Sequence, residues 1–290
     1  MKKLLIGIFI ITLSLNIFAT GLAGDIIFIN GEQWILLGKP IESDSVLYHN
    51  FIGILPEDRS YSTANWDGYT CYWSIKNEKL CLDSVKVTTY NQETKRYHDC
   101  SISSADMQRV FKKYYDKDEI LAIWMKGTIR VARGEILLYV HSAYARNYEQ
   151  EQIITFKHGQ IIERQSFHNR LVVDGFSLHD LWGQGQEEVK AKLPLKLDDY
   201  PELNDENRLN FDISPIQVDS LGNLVDCKVQ AFIRHQGESQ EIEKLSDEMK
   251  NLLKNIYPWK TYLINGKYIS RDNVGAIYPY WTRVDINNDN

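Results

Sequence analysis

The sequence predicts an α+β protein: an N-terminal antiparallel β-rich domain with one helix, followed by a small ββαββ domain. Three observations lead there. Short alternating apolar runs recur between Gly and Asn-Gly turns from Asp25 to Ser166. Two stretches, after Ser103 and after Glu241, repeat apolar residues at helical spacing. Composition changes near Gly183, where Gln184 to Arg208 is mostly polar and charged and contains Pro194 and Pro201. The expected organisation is a signal peptide at 1–23, a β-rich domain at 24–183, a polar connection at 184–202 and a second domain at 203–290.

Lys2 and Lys3 precede an apolar run from Leu4 to Phe18, and Gly21 and Ala23 place small residues before a cut at Gly24. That pattern reads as a secretory signal peptide. An uncleaved anchor is the alternative, because no charge lies between Lys3 and Asp25. Thr12, Ser14, Asn16 and Thr20 dilute the run and favour cleavage. No Cys follows it, which argues against a lipid anchor.

Asp25 to Ile29, Asn30-Gly31 and Gln33 to Gly38 read as a hairpin, since Asn-Gly tolerates the positive φ of a tight turn. Tyr69 to Ile75 and Leu80 to Thr89 read as a second hairpin about Asn77-Glu78. That loop pairs Ile75 with Leu80 and Ser74 with Cys81, and puts Cys71 and Cys81 on opposite faces. Ser103 to Asp106 forms a capping box, and Met107, Val110, Phe111 and Tyr114 make the apolar stripe of one helix. A meander follows: Ile120 to Met125, Thr128 to Arg133, Glu135 to His141, Gln152 to Lys157 and Gln160 to Ser166. Gly127, Gly134 and His158-Gly159 are its expected turns. Strands at such short spacing predict a curved sheet, a sandwich or a barrel.

The second domain reads as strand Phe211 to Val218, a turn at Ser220 to Asn223, and strand Leu224 to Phe232. A helix at Glu241 to Asn255 is expected to pack Leu245, Met249 and Leu252 on that sheet, with Trp259 beside them and Pro258 stopping it. Trp259 to Ile264, a turn at Asn265-Gly266, Lys267 to Ser270 and a last strand at Ile277 to Val284 complete it.

The net charge is −6 with no basic run, which argues against nucleic acid. The four cysteines, Cys71, Cys81, Cys100 and Cys227, form no CxxC pair and are expected to be mostly buried, unpaired thiols. The seven histidines make no HxH or HExxH; His98-x-Cys100 is nearest to ligand spacing, but no partner pair converges on it. GxSxG, GxxxxGK[ST] and GxGxxG are absent, and no pair of acids stands out as a glycosidase couple. No catalytic residue, cofactor or metal is predicted, and the chain reads as a non-enzyme.

Asn65 to Trp73 is the densest aromatic segment. As a core strand it places Tyr69, Cys71 and Trp73 on one buried face. As a sugar-stacking platform it offers Trp66 in the turn before the strand, with Asn65 and Asp67 bonding hydroxyls. Trp66, Asn65 and Asp67 are the candidate ligand-binding residues.

The segments DISPIQVDSLGNLVDCKVQAF and PWKTYLINGKYI, separated by the amphipathic helix, resemble the C-terminal domain of TonB in its Bacteroidetes form. Gly222, Val225, Val229, Trp259, Asn265, Gly266 and Lys267 occupy corresponding places, and the resemblance covers Leu203 to Val284. It implies a periplasmic module that grips a receptor segment by strand addition. The transducers' long Pro-rich spacer is missing, with seven Pro in the chain, so it implies a fold and a binding mode rather than energy transmission. The N-terminal region carries no such resemblance. The expected function is an exported, non-catalytic cell-envelope interaction protein. Its partner would be an envelope protein or peptide segment, with no nucleic acid and no membrane span after cleavage. The alternatives are a periplasmic glycan-binding protein and, third, an envelope hydrolase.

Overall fold

The computed structural model describes residues 21–140, 142–181, 191–196, 199–200, 208–235, 238–274 and 280–281. Most of the expected signal peptide, most of the polar connection and most of the expected last strand lie outside these residues.

The first half is built from β1 (Asp25–Ile29), β2 (Glu32–Leu36), α1 (Ser45–Ile52), β3 (Tyr69–Lys76), β4 (Lys79–Asn91), β5 (Arg96–Ser101), α2 (Ser104–Phe111), β6 (Tyr115–Asp116), β7 (Glu119–Leu121), β8 (Gly127–Tyr139), β9 (Arg146–Lys157) and β10 (Gln160–His168). Ten strands form one sheet in the order β10-β9-β8-β2-β1-β3-β4-β7-β6, with β5 also on β4. All pairs are antiparallel except β1 with β3. The sheet closes on itself where Gln160 of β10 meets Lys79 of β4. There Leu80 N–H donates to Gly159 O (2.9 Å) and Ile161 N–H to Glu78 O (2.8 Å). The result is a barrel filled by Ile27, Leu36, Trp73, Leu80, Val131, Ile154 and Phe156, all buried. Phe51 of α1 and Phe111 of α2 join that core. Trp124 stands among Trp73, Phe111 and Tyr114, with ring centres 6.3, 5.8 and 4.6 Å away.

The second half holds β11 (Arg170–Val173), β12 (Arg208–Val218), β13 (Leu224–His235), β14 (Glu238–Glu241), α3 (Glu243–Lys254), β15 (Thr261–Ile264), β16 (Lys267–Ser270) and β17 (Tyr280–Trp281). One sheet runs β14-β13-β12-β17 and another β11-β15-β16. Phe211, Ile213, Ile216, Leu245, Met249, Leu253 and Trp259 form a second buried core, which also takes in Leu178, Leu193 and Tyr200.

The α+β expectation is corrected: the chain is mostly β, 51% strand against 19% helix, with three α-helices among the described residues. The helices are short caps on cores that the strands build, not a layer of their own. The N-terminal part has two helices, not one. Asp44 caps the second, α1, by accepting from Val46 N–H and Leu47 N–H. Its sequence SVLYHNFI is poor in strong helix formers, which hid it. Gly134 is not a turn: β8 runs through it, and the register shifts there as a bulge. The ββαββ layout is also corrected. The Asn265-Gly266 hairpin, β15 with β16, leaves the β12–β13 sheet and pairs with β11. There Tyr262 and Ile264 pack on Leu138 of β8, and Asn265 N–H donates to Asn169 Oδ1 (2.8 Å).

Candidate functional site

Asp25 is a fully buried acid of the barrel. It shares the inward period of Ile27 and Ile29, so the strand carries its carboxylate into the core. Its Oδ2 accepts from Trp73 Nε1–H (2.9 Å), and its Oδ1 from Cys71 N–H (3.0 Å) and Lys39 Nζ (3.5 Å). Lys39 also donates to Tyr69 O (3.0 Å) and lies 3.8 Å from the centre of the Tyr69 ring. Burial pushes the Asp25 carboxyl up, against the Lys39 charge. It pushes the Cys71 thiol well up too.

Above this centre sits a second polar layer. Tyr69 O–H donates to Glu42 (3.4 Å), and Tyr48 O–H donates to Asp67 Oδ1 (2.9 Å). Burial, then the Asp67 charge, raises the Glu42 carboxyl. Burial raises both phenols, joined at Tyr48 by its hydrogen bond to Asp67 and at Tyr69 by the Cys71 and Asp25 charges. Sequence reasoning missed Asp25, Lys39, Glu42 and Tyr48. The available signal was one acid at an inward position of an apolar strand.

The expected ligand residues part company here. Trp66 is 65% exposed, and its Nε1–H donates to Thr63 O (2.5 Å), which fixes the indole plane. Ser62 and Asn65 pinch the loop in a two-bond bridge, and Tyr61, 55% exposed, stands just before it. Asn65 turns inward, its Nδ2 donating to Tyr69 O (3.0 Å). Asp67 is held by Tyr48, and its carbonyl accepts from Arg59 Nε (2.8 Å). The side chains of Asn65 and Asp67 hold the loop, and Trp66 with Tyr61 faces outward. The strand after it is core: Tyr69, Cys71 and Trp73 are buried.

Two other buried acids are equally occupied. Glu151 accepts from Asn147 Nδ2 (3.1 Å), Tyr148 N–H (2.9 Å) and Asn265 Nδ2 (3.1 Å). Asp272 accepts from Ser177 Oγ (3.1 Å), Leu178 N–H (3.1 Å), His179 N–H (2.9 Å) and Ser270 Oγ (3.3 Å). Carboxylates occupied in this way hold chain segments together. A cleft of about 500 Å³ between β4, α2 and the β6–β7 hairpin is lined in part by Lys76, which bridges Asp83 (3.1 Å) and Glu119 (3.3 Å). Among the described residues, no three His, Cys, Asp or Glu are grouped to hold a metal.

The barrel also leaves an edge. β10 pairs with β9 along its length but with β4 at Gln160 alone, because the β3–β4 turn at Asn77-Glu78 ends there. Asn169 N–H bonds Glu149 O on β9 (2.7 Å), so the alternation of an antiparallel ladder turns Gln165 and Phe167 toward β9. The main-chain groups of Arg164, Ser166 and His168 then point away from it. The outer strand of the second sheet, β14, is shorter, four residues with Glu at both ends.

Comparison with known protein families, characterised proteins and solved structures finds no match to this chain.

Proposed function

We propose that this is an exported, non-catalytic interaction protein of the cell envelope that binds an extended peptide segment by strand addition at β10. The observation that carries the reading is the edge itself: Arg164, Ser166 and His168 present main-chain donors and acceptors on the side away from β9. The structural bonds that Asp25, Glu151 and Asp272 already accept favour binding over catalysis. The TonB-like sequence pattern supports the same mode of binding, but β14 is a poorer edge, since short length and terminal charges are the usual protections against pairing. Export rests on Lys2-Lys3, the apolar run and the Gly21-x-Ala23 pattern. N-terminal sequencing of protein from its host should begin at Gly24; Met1 on a membrane-bound form would refute export by cleavage.

The binding test is selection from a displayed library of unstructured peptides. Ser166→Pro removes one outward N–H without touching the β9 ladder. It should fold as Ser166→Ala does and lose the selected peptides. Equal binding by Ser166→Pro would refute the edge.

A second reading keeps one specific observation, the fixed and exposed indole of Trp66, with Tyr61 exposed in the same loop. Aromatic faces of this kind stack on sugars. On a glycan array, Trp66→Ala should lose any hits of the wild type while its melting temperature stays put. A wild type without hits removes this reading.

A further inference from the structure

The motif His98-x-Cys100 acquires a third member in the fold. In the β4–β5 pairing Thr89 lies opposite His98, and Val87 opposite Cys100. His98 and Cys100, two residues apart on β5, share a face. Thr89 Oγ1 sits between them, 3.0 Å from His98 Nε2 and 3.6 Å from Cys100 Sγ. The Thr89 side chain is buried, Cys100 is half-buried at the margin of the barrel core, and His98 is exposed. The neighbouring charges are engaged elsewhere. The Arg59 backbone bridges to Thr89, but its guanidinium donates to Asp67 O and Pro56 O. Asp99 accepts from Thr88 Oγ1.

We propose that Cys100 is a modification site, a thiol activated through the Thr89 hydroxyl by His98 and oxidised by hydroperoxides to a sulfenic acid. The heavy-atom geometry serves both ends of a proton relay. With a neutral imidazole, Sγ–H donates to Oγ1 and Oγ1–H donates to Nε2. After transfer, Nε2–H donates to Oγ1 and Oγ1–H donates to the thiolate. The thiolate is the nucleophile. It attacks the terminal peroxide oxygen, an S–O bond forms and the O–O bond breaks. The departing alkoxide takes the proton held by His98 and leaves as the alcohol. The sulfur is oxidised by two electrons and the peroxide is reduced. The other three thiols differ in kind. Cys71, Cys81 and Cys227 are buried, and burial raises each of them.

The test is alkylation of the folded full chain by iodoacetamide at one neutral pH, read site by site by peptide mass mapping. A second arm treats the chain with hydrogen peroxide and traps sulfenic acid with dimedone. Cys100 should label first in both arms. Thr89→Ser, which keeps the hydroxyl, should retain the rate, whereas Thr89→Val and His98→Gln should slow it on the order of tenfold. His98 is exposed, so His98→Gln reports on the relay even where Thr89→Val disturbs packing. A Cys100 no faster than free cysteine, or His98→Gln and Thr89→Val labelling at the wild-type rate, would overturn the proposal.

Discussion

Asp25 sits where the strand period calls for an apolar side chain, and the fold meets the cost by giving it Lys39, the Trp73 indole and the Cys71 amide. Removing one member of a buried ion pair leaves the other uncompensated. Asp25→Asn should therefore lose about 3–5 kcal/mol in urea unfolding, by the measured range for such pairs. Asp25→Asn combined with Lys39→Met should recover part of that loss. A double variant no better than the single would show that the indole and amide bonds matter more than the ion pair. Burial also sets a pH dependence. The Asp25 and Asp272 carboxyls are raised above their ordinary 3.8. Between 3.8 and the raised values the folded state holds protons that the unfolded chain has released. Their contribution to stability is complete below 3.8 and declines as pH climbs through that window. Asp272→Asn should flatten the decline, seen as a shallower fall of the urea midpoint with rising pH. An unchanged slope would remove Asp272 from the account.

At the scale of elements, helix register decides which leucine matters. The sequence spacing suggested Leu245, Met249 and Leu252, but Leu253 is the fully buried member and Leu252 is half-buried beside it. Leu253→Asp should abolish the second core, because an unpaired buried charge has no compensation. Leu252→Asp should weaken it less, and circular dichroism with thermal melting separates the two. The β12–β13 turn is built to one residue. Gly222 has φ +82°, and a Cβ there would lie 2.8 Å from Trp259 O. Asp219 accepts from Leu221 N–H (2.8 Å) and Asn223 N–H (2.9 Å) to hold the turn. Elements with local signals were readable in sequence. The Asn30-Gly31 and Asn77-Glu78 turns and the Ser103 cap occur as expected, with Ile75 opposite Leu80 and Ser74 opposite Cys81. What depended on distant contacts was not. Gly134 reads alike as turn or bulge, α1 is held by packing rather than propensity, and the partner of β15 lies far upstream in β11. The candidate site divided the same way: the buried face of Tyr69, Cys71 and Trp73 followed from alternation, while the inward turn of Asn65 did not.

At the scale of the whole molecule, the Asn265-Gly266 turn works as a joint. Asn265 N–H donates to Asn169 Oδ1 (2.8 Å) and its Nδ2 to Glu151 (3.1 Å), while Tyr262 and Ile264 pack on Leu138. The hairpin thus ties the barrel to the second core and leaves the outer edge of β10 unpaired beyond Ile161. Asn265→Ala leaves buried Glu151 short of a donor and should cost about 1–3 kcal/mol, the usual penalty for an unsatisfied buried group. Equal stability of the variant in urea would show that the joint rests on apolar packing alone. The central claim, that the molecule works by lending the β10 edge to an extended partner, is tested most directly by hydrogen exchange of backbone amides with and without a selected peptide. The account predicts new protection at Arg164, Ser166 and His168, and none in the Tyr61 to Trp66 loop. Protection at that loop or at β14, with β10 exchanging as before, would contradict it.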